Sequence, residues 1–152
     1  MAPFIFWNLA FYTIIRTQLE YLDIVRLTLY GVTSKLGFSY EEIEDMKVAV
    51  SEACNNVIVH TYEPDESGVL EVSFDPVRNG VFITIKDQGQ SFDHIQKIES
   101  ISSLHNKSLQ EVRTGGLGLY LMQALMDKVE VKGENGTEVI LYKSVSKSEE
   151  MV

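Results

Sequence analysis

The stretch Lys47 to Tyr62, KVAVSEACNNVIVHTY, constrains this chain more than any other. Its composition is helical. At about 100° per residue Glu52, Asn56 and His60 fall along one side, with Asn55 beside them and Val50, Cys54, Val57 and Ile58 opposite. A surface helix normally shows Lys and Glu to water. This one shows amides, an imidazole and a single carboxylate, which suits the half-buried wall of a pocket. From one rigid face Glu52 can accept a proton, and Asn56 can offer a neutral oxygen to a hard cation or its bound water. The same pattern also fits a hydrogen-bonded polar seam inside a helical domain.

The segments around it define a fold class. From Thr17 to Leu36 the apolar residues Leu22, Val25, Leu29, Val32 and Leu36 recur at spacings of three and four, which predicts an amphipathic helix that stops at Gly37. Ser39 followed by Glu42 is a capping-box pattern. It starts a second helix that runs through the Glu52 face and ends at Glu63-Pro64. Val69 to Asp75 and Val81 to Lys86 alternate around Asn79-Gly80 and predict a β-hairpin. Gln88 to Thr114 lose periodicity and read as a mobile segment longer than a connection needs. Leu117 to Lys128 is helical by pattern, and Val129 to Lys132 with Thr137 to Tyr142 flank a second hairpin signal at Glu134-Asn135-Gly136. The polar tail begins near Ser144. The sum is an α+β chain, a two-layer α/β sandwich with helices on one face of a mixed, mostly antiparallel sheet.

With 152 residues the chain suits a single domain, 1–152. Thirteen Lys and Arg against 22 Asp and Glu give a net charge of -9 without a basic run, which argues against direct nucleic-acid contact. An acidic chain that binds nucleotide must confine positive potential to helix N-termini, backbone amides and a divalent metal. Cys54 is the only cysteine, so no disulfide or cysteine-ligated metal forms within one chain, and a reducing cytoplasm is the simplest setting. The apolar run Pro3 to Ile15 carries Asn8 and is shorter than the roughly 20 residues that span a bilayer. It reads as a core-packing or partner-binding segment, not as a membrane anchor or a signal peptide.

Two further motifs carry chemistry. Asp87-Gln88-Gly89-Gln90-Ser91-Phe92-Asp93 follows a strand. A carboxylate at a strand end can accept from an exocyclic amine, and a Gly two residues on lets a flat ring lie against backbone. An Asp and a Gly there also make an ordinary turn. Thr114-Gly115-Gly116-Leu117-Gly118-Leu119 precedes a helix, where glycines free backbone amides to converge on phosphate. A flexible hinge is the competing reading, since the run matches neither GxxxxGK[ST] nor GxGxxG.

Order and spacing join these pieces. A helix bearing Glu and Asn, then strand-DxGxxF, a loose segment, GGLGL-helix and a strand opening on Gly136-Thr137 resembles the N, G1 and G2 boxes of the GHKL ATP-binding fold. Within that superfamily the stretches IVRLTLYGV, YEEIEDMKVAVSEACNN, DQGQSFD and GGLGLYLMQALMD resemble the anti-sigma serine kinases of the RsbW and SpoIIAB type, over most of Ile24 to Asp127.

The resemblance implies ATP and Mg2+ as cofactors. Asn56 would hold the magnesium, and Glu52 would be the catalytic base that orients or deprotonates an acceptor serine hydroxyl. Asp87 would accept from the adenine amine, Gly89 would let the ring approach, and Thr137 would support the same edge. Gly115, Gly116 and Gly118 would cradle the phosphates, with residues 88–114 as the ATP lid and Arg113 as a phosphate contact from its end. Asn55 and His60 would be scaffold, and His94 and His105 receive no role. The implied partners are an alternative sigma factor of the sigma-B type, which the protein sequesters, and an anti-anti-sigma factor of the STAS type, whose serine it phosphorylates. Relatives also imply a homodimer. Residues 1–18 depart from the family pattern, which begins with a strand. Two rivals remain: the catalytic domain of a histidine kinase, and a nucleotide-gated binding protein without turnover.

Overall fold

Phe11–Arg16 forms the first strand, β1, within the segment where the sequence shows no match to a family strand. Phe11, Thr13 and Ile15 turn toward the helices while Tyr12 and Ile14 face away, 64% and 65% exposed. Because both faces of this strand are apolar, the alternation that betrays a strand is missing from the sequence. The computed structural model describes residues 10–61, 68–87, 109–133 and 136–146, with backbone alone at 19, 60, 61 and 109–115. The expected helix stop at Glu63-Pro64, residues 88–108 of the expected lid, and Glu134-Asn135 lie outside the described residues.

A short 3-10 turn, Leu19–Tyr21, leads into α1, Leu22–Lys35. The predicted stripe is the buried one, with Leu22, Val25, Leu29 and Val32 turned inward. The helix ends as its sequence predicts. Gly37 takes φ 91°, which an L side chain resists, and two backbone bonds close the turn: Gly37 N–H donates to Ser34 at 3.3 Å and Phe38 N–H to Thr33 at 3.2 Å. Helix α2, Tyr40–Thr61, starts on the capping box. The Ser39 N–H donates to Glu42 Oε1 at 2.8 Å, and the Glu42 N–H donates to Ser39 Oγ at 3.1 Å.

Strands β2, Val69–Val77, and β3, Gly80–Asp87, form the first hairpin. Val77 pairs with Gly80, so Arg78 and Asn79 are the turn residues, and Asn79 takes φ 68°. Helix α3, Leu109–Leu125, then precedes β4, Lys128–Lys132, and β5, Glu138–Ser144. The sheet order is β1-β2-β3-β5-β4, and every pairing among the described residues is antiparallel, which corrects the expectation of a mixed sheet. Helix α3 is also longer than its pattern suggested, since it runs through the glycines instead of beginning after them.

The core lies between the sheet and the helices. Leu70, Val72, Phe74, Ile83, Ile85 and Leu141 from the strands meet Leu29, Met46, Val50, Val57 and Met122 from the helices, all fully buried. Truncating a large core side chain of this kind costs on the order of 2 to 5 kcal/mol. The other face of the sheet carries no helix among the described residues, and its two rims differ. β1 presents Tyr12 and Ile14, whereas β4 presents exposed Lys128, Glu130 and Lys132.

The chain after β5 returns to the capping box. Val145 N–H donates to Asn79 O at 2.8 Å, and Ser146 N–H donates to Glu42 Oε2 at 3.2 Å. Partial burial would push the Glu42 carboxyl up, but the donors from Ser39 and Ser146 outweigh it and hold the group below its ordinary value of 4.5. A carboxyl lowered by folding stabilises the native state above its unfolded value, and this contribution is lost as pH falls through the folded one. Urea unfolding should therefore show Ser39→Ala less stable by about 1 kcal/mol at pH 7. Glu42→Gln should flatten the loss of stability that the parent chain shows below pH 4.5.

Candidate functional site

Glu52 and Asn56 stand one turn apart on α2, both half-buried, on the face that looks toward α3. The meeting point on α3 is Gly118. A Cβ there would lie 3.0 Å from Glu52 Oε2 and 3.5 Å from both amide atoms of Asn56. The backbone of the glycine-rich segment thus lies directly on the carboxylate and the amide. A glycine inside a helix costs about 1 kcal/mol relative to alanine. Here that cost accompanies an approach no other residue allows without displacing Glu52. Two of the three expected segments are therefore brought together.

The third segment makes its own closure. Asp87, at the end of β3, is 0% exposed, and Thr137, just before β5, is 6% exposed. They bond reciprocally: the Thr137 N–H donates to Asp87 Oδ2 at 2.5 Å, and the Asp87 N–H donates to Thr137 O at 3.2 Å. Gly136, at φ 104°, supplies the left-handed turn that brings Thr137 into place. A buried carboxylate needs donors, and this one has a backbone amide fifty residues away in sequence. Helix α2 packs against β3, β5 and α3, so one helix is common to the Glu52–Gly118 contact and to the strands that carry Asp87 and Thr137.

The remaining candidates divide. Gly116 is half-buried in α3, two residues before Gly118. Gly115 and Arg113 lie in the same helix, and the Arg113 side chain is outside the described residues. Gly89 and most of the expected lid are outside them as well. No group of three or more His, Cys, Asp or Glu side chains suited to a metal occurs among the described residues. Asn56 offers one amide oxygen beside Gly118, which suits a magnesium ion that completes its shell with water and phosphate.

Cys54 takes no part in this chemistry. Burial pushes its thiol up to about 12, with the charge of Arg26 pulling weakly the other way, so it stays a neutral core group. One contact had no signal in the sequence: Arg26 Nε on α1 donates to Ser51 Oγ on α2 at 3.1 Å, beside Glu52.

Comparison with known proteins decides the lineage. The family described as Histidine kinase-like ATPase domain matches residues 15–143. The serine-protein kinase RsbW of Bacillus subtilis strain 168 is 42% identical over 127 residues, covering 83% of this chain and 79% of that protein. The chain belongs to the RsbW family. Its likeness to the serine-protein kinase RsbW of Bacillus pumilus is similar, 44% identity over 131 residues, 84% of this chain and 81% of the other. Among solved structures, the RsbU and RsbW domains of a Mycobacterium tuberculosis protein superpose with a TM-score of 0.64 at 20% identity, over 92% of this chain. The chain spans 33% of that larger protein, and the match speaks for the fold alone.

For an RsbW-type chain the contact at Gly118 gives a direct test. The clash of an added Cβ is with the movable end of Glu52, so Gly118→Ala should fold with an unchanged circular dichroism spectrum. Isothermal titration should show Mg-ATP binding weakened by roughly tenfold or more, about 1.4 kcal/mol per factor of ten.

Proposed function

We propose that this protein is an ATP-dependent protein serine kinase that also acts as an anti-sigma factor. It sequesters an alternative sigma factor of the sigma-B type and phosphorylates a serine of a STAS-type antagonist of that factor. The observation that carries the reading is the convergence of Glu52, Asn56 and Gly118, in a chain 42% identical to a serine-protein kinase RsbW.

The residues divide the work. Asn56 offers its amide oxygen to magnesium, and the ion when bound neutralises phosphate charge. Gly115, Gly116 and Gly118 border the phosphates, where the missing side chains allow close approach. Asp87, fixed by the Thr137 N–H, accepts from the adenine amine, and Gly89 leaves room for the ring. Arg113 adds a positive charge from the end of the lid. Glu52, half-buried against α3, accepts or orients the proton of the serine hydroxyl. Transfer of this kind rests on positioning and charge neutralisation more than on covalent chemistry by the protein.

Assembly and location follow the same reading. The chain works in the cytoplasm as a homodimer, and the exposed Tyr12 and Ile14 of β1 support self-association. No described helix is long and apolar enough to cross a membrane. Binding of the sigma factor competes with binding of the antagonist, so the nucleotide state biases the choice.

The test is phosphoserine formation on a candidate antagonist with Mg-ATP, followed by mass spectrometry. Glu52→Gln should lower kcat by about 10²-fold or more with ATP affinity retained. Asn56→Ala should lose nucleotide binding itself. A wild-type chain that binds ATP tightly and transfers nothing belongs to the nucleotide-gated binding class.

A further inference from the structure

Helices α1 and α2 pack against each other, and both feed the apolar core, with Leu22, Val25 and Leu29 from one and Met46 and Val50 from the other. Such contacts are non-directional, so a directed hydrogen bond adds an orientation that they do not specify. A catalytic carboxylate depends on its orientation, since a displacement of about 1 Å can cost about 10²-fold in rate. Among the described residues one side-chain hydrogen bond crosses between the two helices, from Arg26 Nε to Ser51 Oγ at 3.1 Å. Ser51 is the residue before Glu52.

The donor has a second partner. Arg26 NH1 also donates to Asp23 Oδ1 at 2.7 Å, one turn back on α1, in a solvent-exposed pair that favours the same guanidinium orientation. A mid-helix serine commonly turns its hydroxyl to its own backbone. Here the oxygen takes a charged donor from the neighbouring helix. Glu52 is thus flanked by two constraints of different kinds, the bare backbone of Gly118 on the α3 side and the Arg26–Ser51 bond on the α1 side.

We infer that Arg26 is a positioning residue for phosphoryl transfer, acting through Ser51 to hold the turn of α2 that carries Glu52. The inference rests on the kinase reading, and it concerns kcat and not the binding of nucleotide. Among the described residues no hydrogen bond or ion pair joins Arg26 to Glu52, so the bonded route from the guanidinium to that turn runs through Ser51.

Phosphoserine formation at saturating Mg-ATP and antagonist tests this in the full chain. Arg26→Ala and Ser51→Ala should each lower kcat by roughly 10- to 100-fold, with the KM for ATP changed less than about twofold. The double variant should be no slower than either single one, because both remove the same bond. Ser51→Thr, which keeps the hydroxyl, should restore most of the rate. A Ser51→Ala chain as active as the parent overturns the inference and leaves Arg26 to act on a partner directly. Losses that multiply in the double variant, or that reside in KM alone, overturn it too. A wild-type chain without transfer removes the kinase reading first, and the inference falls with it.

Discussion

Everything in this molecule that bears on chemistry depends on how closely α2 and α3 approach at Gly118. An added Cβ there would come 3.0 Å from Glu52 Oε2, so the missing side chain leaves the carboxylate its place against the backbone of α3. The apolar side of α2 supports that approach from below. Met46, Val50 and Val57 are fully buried against the sheet, which leaves the polar face no latitude to turn away. The same burial keeps Cys54 inert, and it places the Glu–Asn pair half in water and half in protein. A carboxylate so placed is shielded enough to be oriented and open enough to meet a hydroxyl.

Electrostatics sharpen this arrangement. A chain with 22 acidic and 13 basic residues repels nucleotide over most of its surface. On the proposed reading attraction is local, from the glycine-rich segment and a bound cation. The described residues contain no cluster of acidic and imidazole side chains that would hold a metal without the phosphates.

Much of this was legible because local rules and global packing agree. The capping box at Ser39 and Glu42, the glycine stop at Gly37 and the buried stripe of α1 all lie where their sequence signals put them. The alternating β2 and β3 segments did the same. Failures came where a rule needs contrast or where partners are remote. β1 is apolar on both faces and so shows no period of two. The start of α3 was misread because glycine lowers helix propensity, while packing against α2 favours it at Gly118. The Arg26–Ser51 bond joins residues 25 positions apart, and no short pattern records such a pair, whereas the resemblance already set Asp87 and Thr137, 50 positions apart, at one edge.

The two rims of the sheet complete the account. A strand edge left bare invites another chain to extend the ladder, and alternating charges deter it. Lys128, Glu130 and Lys132 line β4, whereas β1 offers Tyr12 and Ile14. Among the described residues, then, β4 carries the charges that deter extension, and β1 carries apolar side chains instead. A copy that paired at β1 would turn its own charged β4 border outward, and that border would disfavour a further copy.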